Sequence, residues 1–329
     1  MQSSGWRSLR SGSIALIGTL LLAAPAAAGT LPPAGASGPF ASSVGRARAS
    51  GVEVAYTVTG KGPNHVYTSG LDGSYRTLLV KGRDPAWSPD GNWLTYRTGN
   101  PQRAGGIPTK VHVVRADGTH ARVYEPNHVY GEASGEAGPI VWSPNGSWLA
   151  FDTLGGIYVM RPNGNDLRLV STYPGHDLAC YDLEPSWGPD GKRLVFAVLC
   201  DGGNLGLWTV GVDGKHRAEL LPTDGHLVAA YQPTWSPDGN SIAFVGVRKK
   251  RHHGYGYYLY KIHPDGGGLI RVTTGISYPS SPAWSPDGRR LSFSVYGRGI
   301  FVMRRDGSGL RQLRWAPKDS CCLAWDPAP

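Results

Sequence analysis

A chain of 329 residues with 40% hydrophobic and 17% charged side chains excludes an intrinsically disordered protein, and 47 glycines with 26 prolines argue against a mainly helical one. The formal charge of +9 favours anionic partners and is silent on fold. Length alone leaves one or two domains open, because all-β folds of this size often form single units.

Residues 1–28 read as a secretory signal peptide. Arg7 and Arg10 precede a 15-residue apolar run from Ile14 to Ala28 that closes on Ala26-Ala27-Ala28. As a helix the run would span about 22 Å, short of the roughly 30 Å hydrocarbon core, which favours a cleaved signal over a retained anchor. No cysteine follows the cleavage site, which argues against a lipid anchor. The mature chain is therefore expected outside the cytoplasm: secreted, in the cell envelope or in the periplasm. Residues 29–50, rich in Gly, Ala, Ser and Pro, read as a flexible lead-in.

From residue 51 onward the chain repeats. Trp-Ser-Pro-Asp-Gly occurs at Trp87, Trp235 and Trp284, with near copies at Trp142 (Trp-Ser-Pro-Asn-Gly) and Trp187 (Trp-Gly-Pro-Asp-Gly) and a truncated copy at Trp325. Successive tryptophans are 55, 45, 48, 49 and 41 residues apart, a period that fits a four-stranded propeller blade with loops of varying length. Pro suits the second position of a β-turn, Asp or Asn the third, and Gly accepts positive φ in the fourth. A short β-like run follows each full copy, such as Leu-Val-Phe at 194–196, so the motif predicts the hairpin between a blade's first and second strands. A second hairpin signal, Asp-Gly or Asn-Gly, falls at Gly73, Gly118, Gly164, Gly214, Gly266 and Gly307. Six tryptophan elements and six such turns predict a six-bladed, all-β propeller over 51–329. Three strands precede the first tryptophan element, so the C-terminal segment is expected to supply the innermost strand of the first blade, which leaves no free sheet edge.

The repeated Pro-x-Trp-Ser-Pro-Asp-Gly followed by a strand resembles the TolB-like propeller repeat family, related to the WD-repeat propellers, over about residues 51–327. TolB itself carries an additional α/β domain ahead of its propeller; here some twenty low-complexity residues stand between the apolar run and the first blade. Dipeptidyl-peptidase relatives append a hydrolase domain, but this chain has no Gly-x-Ser-x-Gly. The motif serves folding rather than chemistry, so the resemblance implies a fold more than a function.

Antiparallel strand order sorts the loops. The two short turns of every blade fall on one face, while the second-to-third loops and the interblade crossovers fall on the other. The second face holds the length variation, and variable loops on a rigid scaffold are where binding residues gather. Three features concern ligands. His128, His176 and His226 lie in the crossovers before the third, fourth and fifth blades, with Glu132, Asp177, Asp182, Glu184, Asp224 and Gln232 assigned to the same crossovers. Imidazoles with carboxylates are the residue types that hold a divalent metal or position a general base. Oligogalacturonate lyases, a related propeller family, use a histidine-bound metal. The plainer alternative is exposed loop histidines at unrelated heights, 14, 11 and 9 residues before their tryptophans. Second, Arg248-Lys249-Lys250-Arg251-His252-His253, followed by Tyr255, Tyr257 and Tyr258, reads as a basic, aromatic loop of the fifth blade suited to a polyanion, or as a merely solvated hairpin tip. Third, the six repeated tryptophans read as packing residues between blades rather than a stacking platform.

Four cysteines in an exported chain suggest disulfides. Cys180, in the crossover before the fourth blade, and Cys200, in that blade's second-to-third loop, are the favoured pair. Cys321 and Cys322, at the junction of blades six and one, form a vicinal disulfide or stay reduced.

The expected function is a non-catalytic binding propeller, kept from nucleic acid by export, that engages a protein or an anionic envelope glycan as a monomer without a cofactor. The alternative is a metal-dependent lyase or hydrolase acting on an acidic glycan, with a divalent ion on the three histidines.

Overall fold

A computed structural model of the chain describes residues 52–60, 63–98, 110–125, 138–153, 156–173, 180–200, 203–223, 227–250 and 254–327. The expected signal and lead-in lie outside these. The described residues contain 24 strands in six antiparallel four-stranded sheets and no helix; none is therefore long and apolar enough to cross a membrane. Each sheet is a blade. The first joins Val54–Val58, His65–Ser69 and Thr77–Lys81 to the C-terminal strand Ser320–Trp325, which takes the innermost position. The other five run in chain order from inner to outer strand.

The Trp-Ser-Pro-Asp-Gly element folds as its residue types dictate. In blade 2, Gly91 N–H donates to Ser88 O and Gly91 takes φ 65°. The Ser88 hydroxyl donates to Asp90 Oδ1 at 2.5 Å and accepts from Trp93 N–H at 2.9 Å, while Asp90 Oδ1 also accepts from Asn92 N–H. Ser143 with Asn145, Ser236 with Asp238 and Ser285 with Asp287 repeat the network. These serines are 1–2% exposed, so the carboxylate or amide satisfies a hydroxyl that burial would otherwise strand. The Asp-Gly turns are four-residue turns closed by a left-handed glycine: Gly118 N–H donates to Arg115 O at φ 83°.

Six apolar clusters lie between the sheets and link every blade to the next, including blade 6 to blade 1 through Ile300 and Val302 against Val54, Tyr56 and Leu323. The repeated tryptophans sit in these seams. Trp87, Trp187, Trp235 and Trp284 are 6–7% exposed, and Trp142 and Trp325 are half-buried. Trp142, Trp187, Trp284 and Trp325 each donate an indole N–H to the carbonyl just before the preceding blade's tryptophan, at Ala86, Val141, Thr234 and Ala283. Trp235 turns instead to Gly239 O of its own turn. It follows Gly188, the position where other turns carry serine, and a Cβ there would come 3.4 Å from the Trp235 ring.

Candidate functional site

The innermost strands carry a ring that the sequence reading did not resolve. Three residues before five of the six repeated tryptophans, Asp84, Glu184, Gln232, Ser281 and Cys322 take positive φ between 49° and 58° and mark a bulge in the strand. Proline follows four of them, Pro85, Pro185, Pro233 and Pro282, and its missing N–H interrupts the ladder there. The backbone N–H of each bulged residue turns to a side chain of the preceding blade. Thr57 Oγ1 accepts from Asp84, Glu184 Oε2 from Gln232, Gln232 Oε1 from Ser281 and Ser294 Oγ from Cys322. The backbone N–H of Glu184 likewise turns to the carboxyl of Asp152. The ring thus ties neighbouring blades together with polar groups around the axis.

Between blades 2 and 3 the ring is charged. Arg97 is 1% exposed, with Nη2 3.6 Å from Asp84 Oδ2. Asp152, 3% exposed, accepts from Gly138 N–H at 2.9 Å. Burial pushes the Asp152 carboxyl up and the Arg97 guanidinium down, and their opposite charges offset both shifts. Asp182, Glu184 and Gln232 belong to inner strands Cys180–Trp187 and Leu227–Trp235, not to crossovers as expected. Asp182 is fully buried, bonded to Ser171 Oγ and paired with Arg217 at 2.9 Å; Arg217 also lies over Trp208 at 4.4 Å. That is an interblade anchor rather than a ligand set.

On the variable face, blade 5 departs from the expected loop. Its second and third strands, Ile242–Lys249 and Tyr255–Ile262, pair as far as Lys249 with Tyr255. Alternating β-branched and aromatic residues carry the ladder outward, so Arg248, Lys249, Tyr255, Tyr257 and Tyr258 are strand residues, and the connecting loop is short. Arg248, Lys249 and Lys250 are exposed. Beside them Tyr257 meets Tyr278 with ring centroids 4.8 Å apart, and Tyr278 is 58% exposed at the entry to blade 6. Tyr231, on the inner strand, is close enough to Tyr257 to feel its charge. Burial, with Tyr257 and Glu184 nearby, raises its phenol pKa. The arrangement is a strip of tyrosines along the seam of blades 5 and 6 with cations at its edge: ring faces for stacking and charges for an anion.

Of the remaining expected site residues, His128, His176, His226 and Arg251 lie outside the described residues, as do Glu132, Asp177 and Asp224. Among the described residues, no group of three or more His, Cys, Asp or Glu side chains is placed to hold a metal ion. Cys180 and Cys200 form the expected disulfide, but from strand positions: they face each other across the first two strands of blade 4. Cys321 and Cys322 are free thiols within the innermost strand of blade 1, with their sulfurs 2.7 Å apart. The hydrogen bond that the Cys322 thiol donates to Cys321 Sγ, and then burial, raise the Cys322 thiol pKa.

Comparisons with known proteins agree with this architecture. An uncharacterized protein of Agrobacterium fabrum is 27% identical over 198 residues, covering 57% of this chain and 60% of that protein. The Tol-Pal system protein TolB of Syntrophus aciditrophicus is 44% identical over 75 residues, 22% of this chain and 16% of that one. The chain therefore spans less than two thirds of the length of either relative. Among solved structures, TolB from Acinetobacter baumannii superposes with a TM-score of 0.60 at 19% identity, covering 84% of this chain and 66% of that one. A putative TolB from Agrobacterium tumefaciens gives 0.57 at 18%, covering 84% and 99%. At these identities the structural likeness shows the fold alone. The model of the TolB β-propeller domain matches residues 139–321, more than half of the sequence, and the chain belongs to that family.

Proposed function

We propose that this protein is an exported, non-catalytic binding propeller that engages an anionic partner, a protein segment or an envelope glycan, through the variable face of blades 5 and 6. The observation that carries the reading is the Tyr257–Tyr278 pair with Lys249, on the same side of the hairpin, and the exposed Lys250 at its end. Stacked tyrosines offer low-entropy contact area to a sugar ring or a peptide, and the cations select acidic ligands. The second strand and the third hold these groups in fixed register, which preorganises the strip. Nothing in this reading requires a metal or a reacting side chain.

The test is binding to polygalacturonate, as a soluble acidic glycan, and to a poly-glutamate peptide, as an acidic protein segment. The K249Q/K250Q and Y278A variants are compared with the parent over a salt series. Both variants are expected to bind the preferred ligand at least tenfold more weakly, and the cation variant to lose most of the salt dependence. Unchanged affinity in both variants would overturn the assignment of this face. Export is tested separately, by mass spectrometry of the protein recovered outside the cytoplasm. The reading expects a chain lacking residues 1–28.

A further inference from the structure

The face of short turns is the most regular part of the molecule, and blade 6 breaks its rule. The residue six positions after each of the first five repeated tryptophans stands at the start of the blade's second strand or just before it: Trp93, Trp148, Arg193, Ser241 and Arg290. Across the ladder these meet the residue that closes the third strand. Trp93 stands opposite Arg115, Arg193 opposite Gly211 and Arg290 opposite Arg304. In blades 2 and 3 the facing arginine lies over the tryptophan, Arg115 at 5.5 Å from the Trp93 ring and Arg161 at 4.0 Å from Trp148. Blade 6 puts a second arginine where those blades have the aromatic ring. One step further toward the turns it repeats the anomaly, since Arg305 N–H donates to Arg289 O. The corresponding pairs are Ala116 with Asn92 and Val212 with Lys192.

Two like-charged pairs stacked at one hairpin end are unfavourable in a sheet, where opposite charges stabilise and like charges repel. The nearby acids offset them only in part: after the bonds each accepts from its own turn, the charges of Arg290 and Arg289 help lower the Asp287 carboxyl and that of Arg304 the Asp306 carboxyl, two acids against four arginines. Asp287 and Asp306 line the same cleft, of about 430 Å³, with the four arginines. Each acid is committed to its own turn, Asp287 to Ser285 Oγ and Arg289 N–H, Asp306 to Ser308 N–H. Arg305 has a carboxylate partner, Asp238 of blade 5, at 3.1 Å, and Arg290 lies over the Trp325 ring at 5.4 Å. Among the described residues no carboxylate lies within ion-pair distance of Arg289 or Arg304. Lys261 adds a further cation by donating to Arg305 O; burial first, and then the charge of Arg305, lower its pKa.

We infer that Arg289, Arg290, Arg304 and Arg305 form a binding site for a phosphate-bearing ligand, whose charge answers the cations that the two acids of the cleft leave in excess. Guanidinium forks match phosphate oxygens in pairs, and four of them around one cleft suit a group with two or more negative charges better than a single carboxylate. The site lies on the face opposite the tyrosine strip and stands or falls independently of it.

The probes are inorganic pyrophosphate and phosphatidylcholine vesicles with and without phosphatidic acid, applied to the whole protein. Pyrophosphate is expected to bind saturably and raise the melting temperature, with affinity falling as sodium chloride is added. R290Q/R304Q is expected to bind at least tenfold more weakly while keeping the parent's circular dichroism spectrum and a cooperative melting transition in anion-free buffer. Two controls keep the result interpretable. R193Q, at the equivalent position opposite Gly211, and K249Q/K250Q, on the far face, are both expected to bind pyrophosphate as the parent does. Saturable binding of pyrophosphate without vesicle binding supports the site and identifies a soluble phosphate ester; binding of phosphatidic acid vesicles that R290Q/R304Q abolishes supports it with a membrane headgroup as the source. The inference is overturned if neither probe binds, or if R290Q/R304Q binds as tightly as the parent.

Discussion

On the face of short turns, blade 2 and blade 6 close their first hairpins with the same bonds: serine hydroxyl to aspartate, aspartate to the N–H two residues on, and the following strand's N–H back to the serine. On the opposite face eleven residues join the second and third strands of blade 2, whereas three join those of blade 6. Repetition on the first face reports what every blade needs in order to fold, so a residue there is informative where it departs from its equivalents. On the second face each connection is its own case, and only what the neighbouring strands hold in place can be weighed. The arginines of blade 6 stand out by the first test and the tyrosines of blade 5 by the second.

The contrast can be broken most severely at the seams. W284A, which empties a seam and removes the bond to Thr234 O, is expected to cost about 3–5 kcal/mol in urea unfolding. Next in size is the disulfide, which closes a separation of 20 residues. C180S is expected to cost about 3 kcal/mol, and thiol titration of the unfolded parent should count two free thiols, rising to four after reduction. S285A, which removes the hydroxyl that Asp287 and Arg290 N–H both use, should cost about 1–2 kcal/mol. By contrast Y278A, on the variable face, is expected to change stability by no more than about 0.5 kcal/mol while weakening ligand binding.

Acid offers a finer probe of the same turns. The Ser236 hydroxyl, with help from Asn240 N–H, lowers the Asp238 carboxyl from 3.8 to about 2. Because the folded value is the lower one, the stabilisation is complete above pH 3.8 and is lost as the pH falls through 2. D238N should therefore flatten the stability curve between those values relative to the parent, and an unchanged slope would remove the turn from the account of acid sensitivity.

The blade count, both hairpin types, the closing strand and the Cys180–Cys200 pair were legible in the sequence because each rests on residues with narrow conformational roles: proline and glycine in turns, tryptophan at one repeat position, cysteines that strand pairing brings together. The bulge ring was not. Asp84, Glu184, Gln232, Ser281 and Cys322 share a backbone conformation but no chemistry, so a search by residue type passes over them. The available signal was positional, since each stands three residues before a tryptophan and four stand directly before a proline. The hairpin of blade 5 was read as a loop because six cationic or titratable residues mask the strand pattern of Val-Gly-Val before them and Tyr-Gly-Tyr-Tyr after. The like-charged pairs of blade 6 needed the register, since arginines at 290 and 304 are fourteen positions apart and meet only across the ladder.

The closing strand also sets an order of events. Blades 2 to 6 are each built from a contiguous stretch of chain, whereas Thr59 bonds through both its N–H and its hydroxyl to Asp319 O, 260 residues away. Such a contact becomes cheap only after the intervening blades have shortened the distance between its ends. Completion of the ring is then the last act of folding, and the amides of Val54–Val58 should be the last to gain protection in pulse-labelled hydrogen exchange.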